Sequence, residues 1–142
     1  MRALSALLAV LAIVLARPAP ACEGLALTQP WIREAPPGAA VLAGYARLSN
    51  HGRKPVVLSS FSGDDFGSVE LHQSRMADGK MQMRAAGPLT IAPGSSVELS
   101  PGAYHLMLMQ PRRAIAGSSR LTLHCADGTL AVDFPVRAPA SE

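Results

Sequence analysis

Turn-forming residues punctuate this chain so evenly that no stretch beyond the first 21 residues is left long enough to make a packed helix. Twelve Gly and twelve Pro lie along 142 residues, and between them run short apolar or alternating segments. Alternation at period two is the signature of a strand with one buried face, and closely spaced turn signals join such strands into an antiparallel sandwich or barrel. The segments read as nine strands: 25–32, 39–50, 55–62, 68–76, 80–86, 96–100, 104–109, 121–125 and 129–136. Asp78-Gly79 between the fourth and fifth is a hairpin signal. The segment 111–120 reads as a loop, and no internal repeat or linker divides the chain.

The exception is the N-terminus. Arg2 is followed by an uncharged run over residues 3–16, and Ala19-Pro20-Ala21 supplies the small-x-small pattern of a signal-peptidase site. The run is shorter than the roughly 20 apolar residues that span a bilayer. The reading is a secretory signal over residues 1–21 and an exported β-domain over 22–142. Loss of the signal removes Arg2 and Arg17, so the formal charge falls from +3 to +1. With no Lys/Arg cluster and few aromatics, nucleic-acid binding has no electrostatic footprint.

Export bears on the two cysteines, Cys22 and Cys125. An even pair in an oxidising compartment reads as a disulfide. Two alternatives stand beside it: Cys22 as a lipid attachment site, though no Leu lies three residues before it, and both thiols as metal ligands.

The chemistry sits elsewhere. After Met1, every methionine lies on or beside two segments: Met76, Met81 and Met83 on the 72–83 hairpin, and Met107 and Met109 on the strand YHLMLM. Each segment carries one histidine, His72 and His105. Period two puts Tyr104, Leu106 and Leu108 on a core face and His105, Met107 and Met109 on the other. Imidazole with neutral, soft thioethers favours Cu(I) over Zn, Mg or Ca. Unlike thiols, thioethers do not oxidise to disulfides in an exported compartment. A fold that brings the hairpin over the YHLMLM strand would gather two imidazoles and two or three thioethers around one point, with Met81 and Met109 as possible walls or auxiliary donors. Met76 reads as a flanking residue, His51 as a solvated turn residue, His124 as outward-facing, Trp31 as a core-edge anchor and Glu70 as a cap on a polar face.

Four of these residues carry a resemblance. His72 is followed after ten residues by Met83, after twenty-one more by His105, and after one more by Met107. With WIREAPPG, VELHQSRMADGKMQMR and PGAYHLMLM around them, the pattern resembles the periplasmic PCuAC copper chaperones over roughly residues 25–137. The resemblance implies a cupredoxin-like Greek-key β-sandwich or barrel binding one Cu(I) near its surface, with His72, Met83, His105 and Met107 as its ligands. It implies delivery toward the CuA centre on subunit II of cytochrome c oxidase, alongside a Sco-type thioredoxin-like protein. Some members bind Cu(II) through a His/Met-rich C-terminal extension, but this chain ends in APASE. An enzyme has little support: no second histidine accompanies Cys125 to make a blue-copper set, and no paired carboxylates or Ser-His-Asp pattern occur. A secreted adhesion or assembly module accounts for the strands but leaves both His/Met segments without a purpose.

Overall fold

The computed structural model describes residues 22–139. The expected signal over residues 1–21 lies outside them. Ten strands form, in order β1 (Leu25–Arg33), β2 (Val41–Asn50), β3 (Val56–Ser62), β4 (Phe66–Ala77), β5 (Lys80–Ala85), β6 (Leu89–Ile91), β7 (Ser96–Leu99), β8 (Tyr104–Pro111), β9 (Ser118–Cys125) and β10 (Gly128–Arg137). The sheet runs β5-β4-β8-β7-β2-β1-β10-β9-β3-β6, and the β3–β4 pairing closes it into a barrel with β5 and β6 outside the ring. No helix forms among the described residues, as the turn spacing requires.

Three details depart from the sequence reading. The strand Leu89–Ile91 was not anticipated. It is only three residues long, too short for period two to register, yet Leu89 and Ile91 are both buried and pair with β3. The loop expected over 111–120 shrinks to 112–117, because β8 extends to Pro111 and β9 begins at Ser118. The barrel is also not purely antiparallel: β1 lies parallel to β10, and β7 touches β8 in parallel at Leu99–Tyr104. The β1–β10 contact joins strands distant in sequence, where no hairpin turn imposes antiparallel direction, whereas β7 and β8 are neighbours that touch at a single residue pair.

The alternation read from the sequence sorts the faces. Leu42, Ala46 and Leu48 of β2, Val69 and Leu71 of β4, Leu106 and Leu108 of β8, Leu121 and Leu123 of β9, and Phe134 of β10 fill the barrel. Gly44 fits this inner face because a Cβ there would sit 3.5 Å from the Leu106 side chain, ordinary packing distance. The partner face of β4 and β8 is therefore turned outward, and that face bears the His/Met residues.

Cys22 and Cys125 are joined by a disulfide, with Cα atoms 5.6 Å apart, and Cys22 is buried. The bridge ties the residues before β1 to the end of β9. It takes both thiols out of the pool of metal ligands, although the Asp127 carboxylate lies close to them.

Candidate metal centre

The hairpin forms because Asp78 and Gly79 both take positive φ, 51° and 72°, as a tight two-residue turn demands. That turn sets the register: Ala77 opposite Lys80, Met76 opposite Met81, Ser74 opposite Met83 and His72 opposite Ala85. On its other edge β4 pairs with β8, placing His72 opposite His105 and Glu70 opposite Met107. Side chains directly opposite share a face. His72, Met83, His105 and Met107 therefore stand on one outer face of three adjacent strands, β5, β4 and β8. Distant stretches of chain are gathered by register alone.

The two imidazoles lie at the centre of this face, with ring centroids 6.0 Å apart. Two rings ligating a common metal at about 2 Å per nitrogen have centroids roughly 5–6 Å apart. Met107 lies one step along the strands from this pair, toward Glu70, and Met83 one step the other way, toward the hairpin tip. Met107 is half-buried, while Met83 is 61% exposed on the edge strand. Met109 and Met81 continue the two rows.

Hydrogen bonds fix the tautomers. His105 Nδ1 lies 3.3 Å from the Ala103 carbonyl, which can only accept, so Nδ1 carries the proton. Its Nε2 is then a lone pair, buried and without any partner. His72 takes the opposite tautomer, donating from Nε2 to the Glu70 carboxylate at 3.0 Å and leaving Nδ1 as its lone pair. A carbonyl or carboxylate on the far nitrogen is the usual arrangement behind a metal-ligating histidine. A buried nitrogen lone pair with no partner costs about 1–3 kcal/mol, and a bound cation would remove that cost. The donors present, two neutral imidazoles and neutral thioethers, suit a soft monovalent ion.

The sequence reading placed Glu70 only as a cap; the structure shows it bonded to His72. It missed the Ala103 carbonyl, since a backbone acceptor leaves no residue-type signal. It also missed the neighbours on β1 and β2. Val41 and Ala43 lie opposite Met109 and Met107, so the outer face of β2 continues the His/Met face. Tyr45 is on that face too, stacked on Trp31 with centroids 4.7 Å apart. Burial pushes the Tyr45 hydroxyl up from its ordinary value, opposed by the nearby Arg33 charge. The other histidines lie off this face: His51 is exposed in its turn, and His124 Nε2 sits 2.8 Å from Ser62 Oγ.

Comparison with known proteins supplies the class first. The copper-bound PCuAC domain from PmoF2 matches with a TM-score of 0.69 at 22% identity, over 87% of this chain and 100% of that one. Apo-DR1885 from Deinococcus radiodurans matches with a TM-score of 0.64 at 23% identity, over 99% of this chain and 95% of that one. The CuI form of DR1885 matches with a TM-score of 0.57 at 27% identity, over 84% of this chain and 80% of that one. The fold of the chain is thus that of these PCuAC domains. Residues 25–136 match the family described as "Putative lipoprotein LpqE-like". The chain belongs to the LpqE-like family. A curated relative, the putative lipoprotein Lxx21020 of Leifsonia xyli subsp. xyli, is 24% identical over 128 residues, covering 88% of this chain and 74% of that one.

Proposed function

We propose that the protein is an exported copper carrier that holds one Cu(I) between His72, His105, Met107 and Met83 and hands it to an acceptor. The observation that carries this reading is the buried, unpartnered Nε2 of His105, 6.0 Å in ring-centroid distance from His72 and flanked by thioethers. The copper-bound PmoF2 domain and the CuI form of DR1885 support copper as the cargo. Met107 is fixed on β8, next to the histidine pair. Met83 is unpacked on the edge strand, and three rotatable bonds let its sulfur swing toward the imidazoles.

Release proceeds by ligand exchange. An acceptor thiolate or imidazole displaces the exposed Met83 sulfur first, then Met107, and the histidines let go last. No electron or proton transfer is needed at the carrier, and no catalysis is assigned to it. The acceptor is the CuA centre on subunit II of cytochrome c oxidase, or a Sco-type thioredoxin-like protein upstream of it. The site of action is the periplasm. The lipoprotein description of the family and of the Leifsonia relative supports an exported location.

The test is titration of the reduced-copper form against a colorimetric Cu(I) chelator, with X-ray absorption on the loaded protein. A first ion per chain with both nitrogen and sulfur scatterers is expected. His105→Leu lowers the affinity and strips nitrogen from the shell, and uptake by the wild type weakens on acidification because protons and Cu(I) compete for the same nitrogens. A shell of nitrogen and oxygen alone overturns the assignment.

A further inference from the structure

The hairpin carries more sulfur than the histidine-centred site uses. Met76 and Met81 are direct cross-strand partners, and Met83 lies on the same face two positions from Met81. Their exposures are 64%, 56% and 61%, and with Val41 they make up the exposed large hydrophobics among the described residues. None of the three fills a core. The other positions of the ribbon, Arg75, Gln82 and Arg84, alternate onto the opposite face. The hairpin is therefore a two-faced ribbon, cationic and amide-bearing on one side and thioether on the other. An edge hairpin ordinarily shows water Thr, Lys or Glu. Here each exposed large apolar residue of the ribbon is a methionine, the apolar side chain that is also a soft donor.

We propose that Met76, Met81 and Met83 form a second Cu(I) site, made of three thioethers at the hairpin tip, which loads the histidine-centred site. This rests on the copper-carrier reading for its cargo, not on its histidine ligands. Directly opposite Cβ atoms are about 4.5–5.5 Å apart and diagonal ones ~7–8 Å, within reach of flexible thioether side chains converging on one ion. Three neutral sulfurs hold a cuprous ion without bringing negative charge to the surface. Met83 stands between the two sites, opposite Ser74, with Met76 and Met81 on one side and His72 on the other. It is the shared ligand: the ion moves inward as Met76 and Met81 sulfurs leave and the imidazole nitrogens enter. Copper stays cuprous throughout, and no proton is taken up or released at the sulfurs.

The experiment uses the variant His72→Leu/His105→Leu, with its fold checked by circular dichroism, titrated anaerobically with Cu(I) against a colorimetric chelator. The site predicts one ion per chain with a sulfur-only shell by X-ray absorption, and its loss when Met76→Leu/Met81→Leu is added. A parallel measurement needs no histidine variant. In wild-type protein with methyl-labelled methionine, a second equivalent of Ag(I) should shift the Met76 and Met81 methyl resonances. No uptake by the folded histidine variant, a nitrogen or oxygen shell in it, or unmoved Met76 and Met81 methyls overturns the second site. If wild type takes one ion while the histidine variant takes none, the carrier reading stands and the hairpin site falls. If wild type takes no Cu(I), both fall.

Discussion

His105 is buried with one nitrogen spent on a backbone carbonyl and the other facing no partner. A residue kept only for packing would be better served by Leu, which has no lone pair to desolvate. Met107 poses the same question with less cost, since a thioether packs like a hydrocarbon. Met107→Leu nearly conserves volume, so stability should change by less than about 1.5 kcal/mol. If Met107 is a ligand, the same substitution lowers Cu(I) affinity at least several-fold in a chelator competition. A variant that loses stability but keeps its copper would make Met107 a core residue. A polar side chain also does structural work out of water: Asn50 is buried to 1% exposure and holds three strand ends together. Its amide donates to the Lys54 and Ile91 carbonyls and its oxygen accepts from the Gly52 amide.

At the scale of elements, β5 is the weak member. All six of its residues are exposed or half-buried, so it is held by its ladder to β4 and by the turn rather than by packing. The turn depends on Gly79 at φ 72°, where any Cβ-bearing residue is strained by about 1–2 kcal/mol. Gly79→Ala should therefore lower hydrogen-exchange protection in β5 while leaving β8 and β9 unchanged. It should also weaken copper binding several-fold, because Met83 reaches the histidines only from a formed hairpin. Equal loss of protection across the barrel would show that β5 unfolds only with the whole. This looseness suits its proposed task, since a donor that must let go is better placed on an edge than in a wall of the barrel.

Two ties act on the molecule as a whole. The disulfide closes a span of 103 residues, which in the loop-entropy account contributes ~4–5 kcal/mol. Cys22→Ser/Cys125→Ser should lower the denaturant midpoint markedly yet keep Cu(I) stoichiometry, because neither cysteine lies on β4, β5 or β8. Copper loss in a variant that still folds would bring the bridge into the site. The second tie is Asp65. It accepts from Arg113 Nε and Nη2 at 2.6 and 2.7 Å and from Ser119 Oγ at 2.6 Å, fastening the turn before β4 to the 112–117 loop and to β9. Hydrogen bonds from Arg113 and Ser119 hold its carboxyl below the usual value. A carboxyl lowered in the folded state stabilises above its unfolded value of about 3.9, and the gain is lost as pH falls through the folded value. Asp65→Asn should thus be less stable than wild type at neutral pH, and the two should converge in strong acid. A constant gap down to the lowest pH would show that the carboxylate charge contributes nothing.

The sequence by itself determined the strand-and-turn character of the chain, the hairpin at Asp78-Gly79, and the division of β8 into a leucine face and a His/Met face, because period two and positive-φ turns are local properties. It also marked His72, Met83, His105 and Met107 through their spacing. Three residues of β6 were too few to show a period, and the parallel β1–β10 contact has no local signature. Only the tertiary structure decided that His72 lies opposite His105, that Glu70 and the Ala103 carbonyl set their tautomers, and that Met76, Met81 and Met83 face water together. Those facts depend on which strand edges pair and in what register, and register between strands far apart in sequence is set by how the whole core packs rather than by any one segment.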